Sequence, residues 1–136
     1  MSTRLSPYVC LAGTAREALE FYRSVLGGEA SVMTFADYGG GEGVDPDGVM
    51  HGQLDTPAGL TLMVSDAMPG MSAAGGGNVA LCLFGDDSAE GERFFTGLAE
   101  GGKVTTPLEK QVWGDLYGAL TDRFGVDWMV NVSAGA

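Results

Sequence analysis

Basic side chains are scarce in this chain. Seven Lys and Arg stand against eighteen Asp and Glu in 136 residues, which gives a formal net charge of −11. Such a charge repels phosphate backbones and anionic membrane surfaces. A run of about 18 apolar residues, which a membrane helix needs, does not occur, and the first residues lack the apolar core of a signal peptide. We therefore expect a cytoplasmic protein without nucleic-acid or membrane partners.

Cysteine and histidine are scarce as well. Cys10 and Cys82 are the only two cysteines, too few for a disulfide framework, and each lies in an alternating apolar segment. We expect free, buried thiols. His51 is the only histidine, and the sequence contains no HExxH motif, no pair of CxxC motifs and no complete EF-hand loop. Motifs of known metal sites are therefore missing.

An internal repeat is present instead. The segments "HGQLDTPAGLTLMVSD" (51–66) and "YGALTDRFGVDWMVNV" (117–132) align without gaps and share two glycines, a leucine, a methionine and a valine at equivalent positions. Each copy predicts a strand, a glycine-containing turn and a second strand. Upstream, "EALEFYRSVLGG" and "EGERFFTGLAEGG" match as amphipathic helices, each preceded by an alternating strand, "YVCLAG" or "NVALCLF". The chain is predicted to be one unit repeated twice.

Helix boundaries are predicted from capping signals. Thr14 and Glu17 have the spacing of a capping box, so the first helix should begin at Thr14 and end at Gly27. Asp87 or Ser88 should cap the second helix.

These elements predict an α+β fold in which each unit has the order β-α-β-β-β. The two units should form cupped mixed β-sheets with the helices on the outer face. We expect a single domain over 1–136, with unit one at about 5–74 and unit two at about 75–133. Because neither half is large enough to be stable alone, the units should share a core within the chain or pair with a second chain.

The repeated unit resembles the vicinal oxygen chelate superfamily of glyoxalases, extradiol dioxygenases and bleomycin-resistance proteins. The motifs "EALEFYRSVLGGE", "MHGQL", "LMVSDAMPG", "LAEGGKVTTPL", "VWGDLYG" and "TDRFGVDWMVN" resemble, in that order, its PhnB-like branch. The resemblance covers 7–131 and implies the glyoxalase fold. It also implies four positions from which relatives bind a metal, and these fall here on Tyr8, with Pro7 as an alternative, and on Met63, Asn78 and Met129. Phenol, amide and thioether groups are a poor set for zinc, nickel, manganese or ferrous iron, so we expect no metal and no cofactor.

Strand alternation predicts which side chains line the cup. His51 and Gln53 fall on the polar face of their strand, with His51 beside or opposite its repeat partner Tyr117. His51 and Tyr117 are the candidate catalytic residues. The candidate ligand-binding residues on the predicted cup side are Tyr8, Gln53, Met63, Ser65, Asn78 and Met129. Trp113, on the "WGDLYG" segment that leads to the cup, is a further candidate. Alternatively, His51 is a polar residue that only bonds to a neighbouring strand.

The favoured hypothesis is a homodimer that holds a small organic molecule in a metal-free cup, for sequestration or resistance. The alternative is a metal-independent isomerase or lyase in which His51 is the general base and Tyr117 or Tyr8 the acid. A metal-dependent glyoxalase or dioxygenase is a third, weaker possibility.

Overall fold

A computed structural model describes residues 3–41, 43–67 and 79–133. The chain divides into two compact units, Met1–Ala74 and Gly75–Ala136. The first unit contains β1 (Tyr8–Leu11), α1 (Ala15–Leu26), β2 (Glu29–Thr34), a short 3₁₀ helix (Ala36–Tyr38), β3 (Val49–Asp55) and β4 (Thr61–Asp66). The second contains β5 (Leu81–Gly85), α2 (Ser88–Ala99), β6 (Lys103–Lys110), β7 (Leu116–Thr121) and β8 (Asp127–Val132). The predicted β-α-β-β-β order and the α+β class are confirmed.

Each unit has one four-stranded mixed sheet, with the order β1-β4-β3-β2 in the first and β5-β8-β7-β6 in the second. The first strand of each unit runs parallel to the last, and the other pairs are antiparallel. The first and third strands are therefore not neighbours, because the fourth lies between them. Side chains of β1 and β3 can meet only across β4.

Each helix packs its apolar stripe on its own sheet. In α1 the stripe is Ala18, Leu19, Tyr22 and Leu26, and Leu19 and Tyr22 are almost completely buried. Burial of one such large side chain stabilises the fold by about 1.5–3 kcal/mol. Strand residues alternate accordingly, and the helix side includes the buried Leu62, Val64, Val126, Trp128 and Val130. The opposite side of each sheet is left for polar and thioether groups.

The predicted capping box is wrong. The Thr14 side chain makes no capping hydrogen bond. Instead, the Asp66 carboxylate at the end of β4 accepts from the Ala15 amide at 2.9 Å and from the Val49 amide at 2.9 Å. A carboxylate at a helix N-terminus also interacts favourably with the helix dipole. In the second unit, Asp87 caps α2 by accepting from the Glu90 amide at 3.1 Å, one of the two predicted alternatives.

The beginning of the second unit also differs from the prediction. β5 starts at Leu81, and Asn78 lies outside the described residues. Val79 is 73% exposed because it precedes the paired part of the strand. Both cysteines are free, but Cys10 is only half-buried and Cys82 is exposed, so the prediction of buried thiols is wrong. Partial desolvation nevertheless raises the pKa of the Cys82 thiol, which disfavours the reactive thiolate.

Among the described residues, no helix is both long and apolar enough to cross a membrane.

Candidate functional site

Tyr8 and His51 meet on the side of the first sheet that faces away from α1. The Tyr8 Oη and His51 Nδ1 atoms lie 3.1 Å apart, and the two ring centroids are 5.6 Å apart at 42°. Tyr8 is paired with Met63 in the β1–β4 register, and Met63 is paired with Gln53 in the β3–β4 register. The tyrosine side chain therefore reaches from β1 across β4 to the histidine on β3.

Gln53 continues this contact along β3. Its Oε1 atom lies 3.4 Å from His51 Nε2, a long hydrogen bond, and its Nε2 atom donates to Asp55 Oδ2 at 3.0 Å. We name the side of the first sheet that carries Tyr8, His51, Gln53, Met63 and Ser65 the His51 face. On this face both ring nitrogens of the single histidine have partners within the same unit.

Asp55 ends the row of polar groups. Thr61 Oγ1 donates to Asp55 Oδ1 at 2.8 Å, and Arg4 Nη2 donates to Thr61 Oγ1 at 2.9 Å. The hydrogen bonds from Thr61 and then from Gln53 hold the pKa of the Asp55 carboxyl below its ordinary value. The cationic Arg4 adds a smaller electrostatic contribution in the same direction. Asp55 is exposed and ionised at neutral pH.

Burial differs across the His51 face. Tyr8 is 49% exposed, whereas His51, Gln53 and Met63 are half-buried. Ser65 is buried, and its hydroxyl contacts the Cys10 sulfur at 3.7 Å. The groups that a small molecule could reach are therefore the phenol, the imidazole edge, the amide and a thioether.

The corresponding side of the second sheet carries different chemistry. Trp113 and Tyr117 lie with their ring centroids 6.2 Å apart at 58°, and Trp113 is 59% exposed. Asn131 Nδ2 donates to Asp115 Oδ2 at 3.1 Å. Met129 is half-buried between β5 and β7. Aromatic and amide groups are available here, but the phenol–imidazole contact of the first unit has no counterpart among them.

A cross-strand Thr–Asp pair occurs in both units with its members exchanged. Asp55 on β3 opposes Thr61 on β4 in the first unit, and Thr121 on β7 opposes Asp127 on β8 in the second. Thr121 Oγ1 donates to Asp127 Oδ1 at 2.6 Å, just as Thr61 donates to Asp55. The hydrogen bond is the same, but the carboxylate lies on the other strand.

The residues at the positions of the relatives' metal ligands do not fit a hard divalent metal. Tyr8 and Met63 are side by side in the register, and Met129 is beside Cys82. Cys82 is thus the register counterpart of Tyr8. Sequence alignment of the first strands missed this residue, and the shared pairing with Met63 and Met129 is the signal that identifies it. Within 3–41, 43–67 and 79–133, no three His, Cys, Asp or Glu side chains are grouped to hold a metal ion.

Comparison with known proteins gives a family match over most of the chain. The model of the Glyoxalase/Bleomycin resistance protein/Dioxygenase superfamily matches residues 4–130. Protein YjdN of Escherichia coli is 34% identical over 140 residues, which cover 94% of this chain and 94% of YjdN. The uncharacterized protein Mb0911c of Mycobacterium bovis is 32% identical over 133 residues, covering 91% of this chain and 79% of that protein.

Comparison with solved structures agrees with this family match. Protein PA1353 from Pseudomonas aeruginosa has 39% sequence identity and a TM-score of 0.85, with 97% of this chain and 98% of that chain covered. The PhnB protein from Bacillus cereus, described as a putative 3-demethylubiquinone-9 3-methyltransferase, has a TM-score of 0.74 at 20% identity, covering 96% of this chain and 100% of that chain. The second likeness shows the fold alone. The resemblance predicted from the sequence is confirmed.

Proposed function

The chain belongs to the glyoxalase/bleomycin resistance protein/dioxygenase superfamily, and we propose that it binds a small organic molecule on the His51 face. The observation that carries this proposal is the contact between Tyr8 Oη and His51 Nδ1 on a partly open sheet surface. A role in sequestration or resistance would follow from binding alone, without chemical change of the ligand.

The composition of the face supports a ligand of mixed character. Small-molecule sites combine apolar surface with a few oriented polar groups. Here the Met63 thioether, flanked by Tyr8 and Gln53 in the strand register, supplies a soft apolar surface between hydrogen-bonding groups. Thioethers adapt to irregular ligand shapes. A planar compound with one or two polar substituents fits this combination.

The first experiment compares ligand affinities. A thermal-shift screen of small aromatic and heterocyclic compounds would select one that stabilises the protein, and titration calorimetry would measure its affinity for the wild type and for His51→Ala. We expect affinity to fall by about tenfold, which corresponds to about 1.4 kcal/mol. Met50→Ala is the matched control, because Met50 precedes His51 on β3 and alternation places its side chain on the other face. Equal affinities of wild type and His51→Ala would contradict the proposal.

A second candidate is a metal-independent isomerase or lyase. The distance of 3.1 Å between Tyr8 Oη and His51 Nδ1 favours it, because it places a candidate general acid beside a candidate general base, so that both could reach the same small molecule. His51→Ala would then abolish turnover while ligand affinity changes by less than about twofold. Tyr117, the other candidate acid, belongs to the second unit, and its role remains a prediction, as do the homodimer and the cytoplasmic location.

A further inference from the structure

The Asp55 carboxylate determines which group donates and which accepts in each hydrogen bond of the His51 face. An ionised carboxylate has no proton and only accepts hydrogen bonds. The lowered pKa of Asp55 keeps it in this form near neutral pH. The nitrogen and not the oxygen of the Gln53 amide must therefore face Asp55, as the Nε2–Oδ2 distance of 3.0 Å shows.

The orientation of Gln53 then fixes the proton on His51. With its nitrogen turned to Asp55, Gln53 presents Oε1 to His51 Nε2 at 3.4 Å. An amide oxygen only accepts, so Nε2 carries the imidazole proton. In the neutral ring the other nitrogen, Nδ1, is then an acceptor. A group that hydrogen-bonds to Nδ1 must be the donor.

Tyr8 is that group. With Nδ1 as an acceptor, the Tyr8 hydroxyl directs its only proton at His51 across the 3.1 Å contact. Among the described residues no second group donates to the phenol oxygen, and Tyr8 is 49% exposed, so the oxygen lone pairs can accept a hydrogen bond from a ligand. Tyr8 thus donates to His51, His51 donates to Gln53, and Gln53 donates to Asp55. The exposed end of this chain of hydrogen bonds is the Tyr8 oxygen, which can accept.

We infer that the molecule bound on the His51 face carries an N–H or O–H group that donates to Tyr8 Oη, and that Gln53 and Asp55 are positioning residues for this acceptor. The inference rests on the proposed function and adds a ligand class to it. Compounds whose polar groups only accept hydrogen bonds, such as ethers, could not form a hydrogen bond with the Tyr8 oxygen and should bind less tightly.

The second unit offers an internal comparison. It keeps the cross-strand bond from Thr121 to Asp127, but Ala119 occupies the repeat position of Gln53 and Tyr117 that of His51. The methyl group of Ala119 cannot relay a hydrogen bond, and Tyr117 carries no imidazole, so the second unit lacks the Gln–His pair at these repeat positions. Asp127→Asn is for this reason a matched control for Asp55→Asn, since both change the carboxylate of a Thr–Asp pair at the same end of a hairpin.

The first test reads the proton position directly. His51 is the only histidine, so isotope-labelled histidine gives a single pair of ring-nitrogen NMR signals without assignment. We expect the Nε2–H form in the wild type, a smaller share of that form in Gln53→Leu and in Asp55→Asn, and no change in Asp127→Asn. A predominant Nδ1–H form in the wild type would overturn the inference, because Tyr8 would then accept from His51.

The second test uses phenol and anisole, which differ in that a methyl group replaces the O–H proton. We expect phenol to shift the His51 Nδ1 signal at a concentration about tenfold lower than anisole does. Tyr8→Phe should remove this difference. The control Tyr38→Phe, which deletes an exposed hydroxyl bonded to the Met33 sulfur, should retain it.

The two proposals fail in distinguishable ways. Equal or stronger shifts from anisole, or no shift from either compound, would overturn the inference about ligand class. The proposed function is tested separately, by the affinity of His51→Ala for the compound selected in the thermal-shift screen. Loss of affinity there together with an Nδ1–H form in the wild type would support the binding function and reject the donor class.

Discussion

Asp55 is a single exposed residue whose charge state should affect stability. Its pKa in the folded protein lies below the ordinary value of 3.8 because Thr61 and Gln53 donate to the carboxylate. A depressed pKa means that the ionised form stabilises the fold. This contribution is fully present above pH 3.8 and is lost as the pH falls through the lower folded-state value.

We therefore predict that Asp55→Asn reduces the loss of stability on acidification below pH 3.8. Thermal denaturation midpoints of wild type and variant, followed from neutral pH into the acid range, measure this. Thr61→Val should reduce the loss of stability in part, because it removes the first of the two donors. An unchanged acid dependence in Asp55→Asn would contradict the assigned contacts.

At the scale of elements, the first prediction concerns the start of α1. Asp66 accepts from the Ala15 amide, whereas Thr14 provides no side-chain cap. Asp66→Ala should lower the free energy of unfolding by about 1–2 kcal/mol, the usual cost of a lost cap. Glu17→Ala, which removes the acidic member of the predicted capping box, should change it by less than about 0.5 kcal/mol. Urea denaturation measures both free energies. A larger loss in Glu17→Ala than in Asp66→Ala would contradict this prediction and support the capping box.

The β7–β8 hairpin depends on a buried carboxylate. Asp122 is 3% exposed and accepts from the Phe124 amide at 2.8 Å, the Val126 amide at 3.1 Å and the Trp128 indole at 2.8 Å. Asp122→Ala would remove this acceptor from two buried donors, the Val126 amide and the Trp128 indole, so we predict a loss of about 2–4 kcal/mol in the free energy of unfolding.

The equivalent turn of the first unit provides the control. Thr56 stands at the repeat position of Asp122, and its hydroxyl accepts from the Leu60 amide at 3.1 Å. Thr56→Ala should cost about 1 kcal/mol. Similar losses in the two variants, measured by urea denaturation, would show that the indole contact adds little to the turn.

The sequence predicted the order of elements and the two sides of each sheet because both follow from local alternation and repeat. His51, Gln53 and Met63 could be assigned to one side in this way. The contact between Tyr8 and His51 could not be predicted, since it depends on the order of strands in the sheet. The capping of α1 by Asp66 was missed for the same reason, because the two partners are 51 residues apart.

At the scale of the whole chain, the prediction concerns metals. Tyr8, Met63 and Met129 are poor ligands for hard divalent ions, and thioethers prefer soft ions. Protein purified without chelators should contain less than about 0.1 equivalent of zinc, manganese, nickel or iron by elemental analysis, and chelator treatment should leave its thermal midpoint unchanged. Stoichiometric metal, or a lower midpoint after chelation, would contradict this prediction.

The exchanged Thr–Asp pairs suggest how two copies of one unit can diverge without losing their hairpins. Either strand can carry the carboxylate, because the bond between Thr61 and Asp55 is reproduced in reverse by Thr121 and Asp127. The cross-strand hydrogen bond therefore does not determine which of the two strands carries the negative charge. A crossed double variant, Asp55→Thr with Thr61→Asp, would keep the first hairpin closed while moving the charge away from the strand that carries the histidine. The chain could in this way change what a sheet surface recognises without rebuilding the sheet.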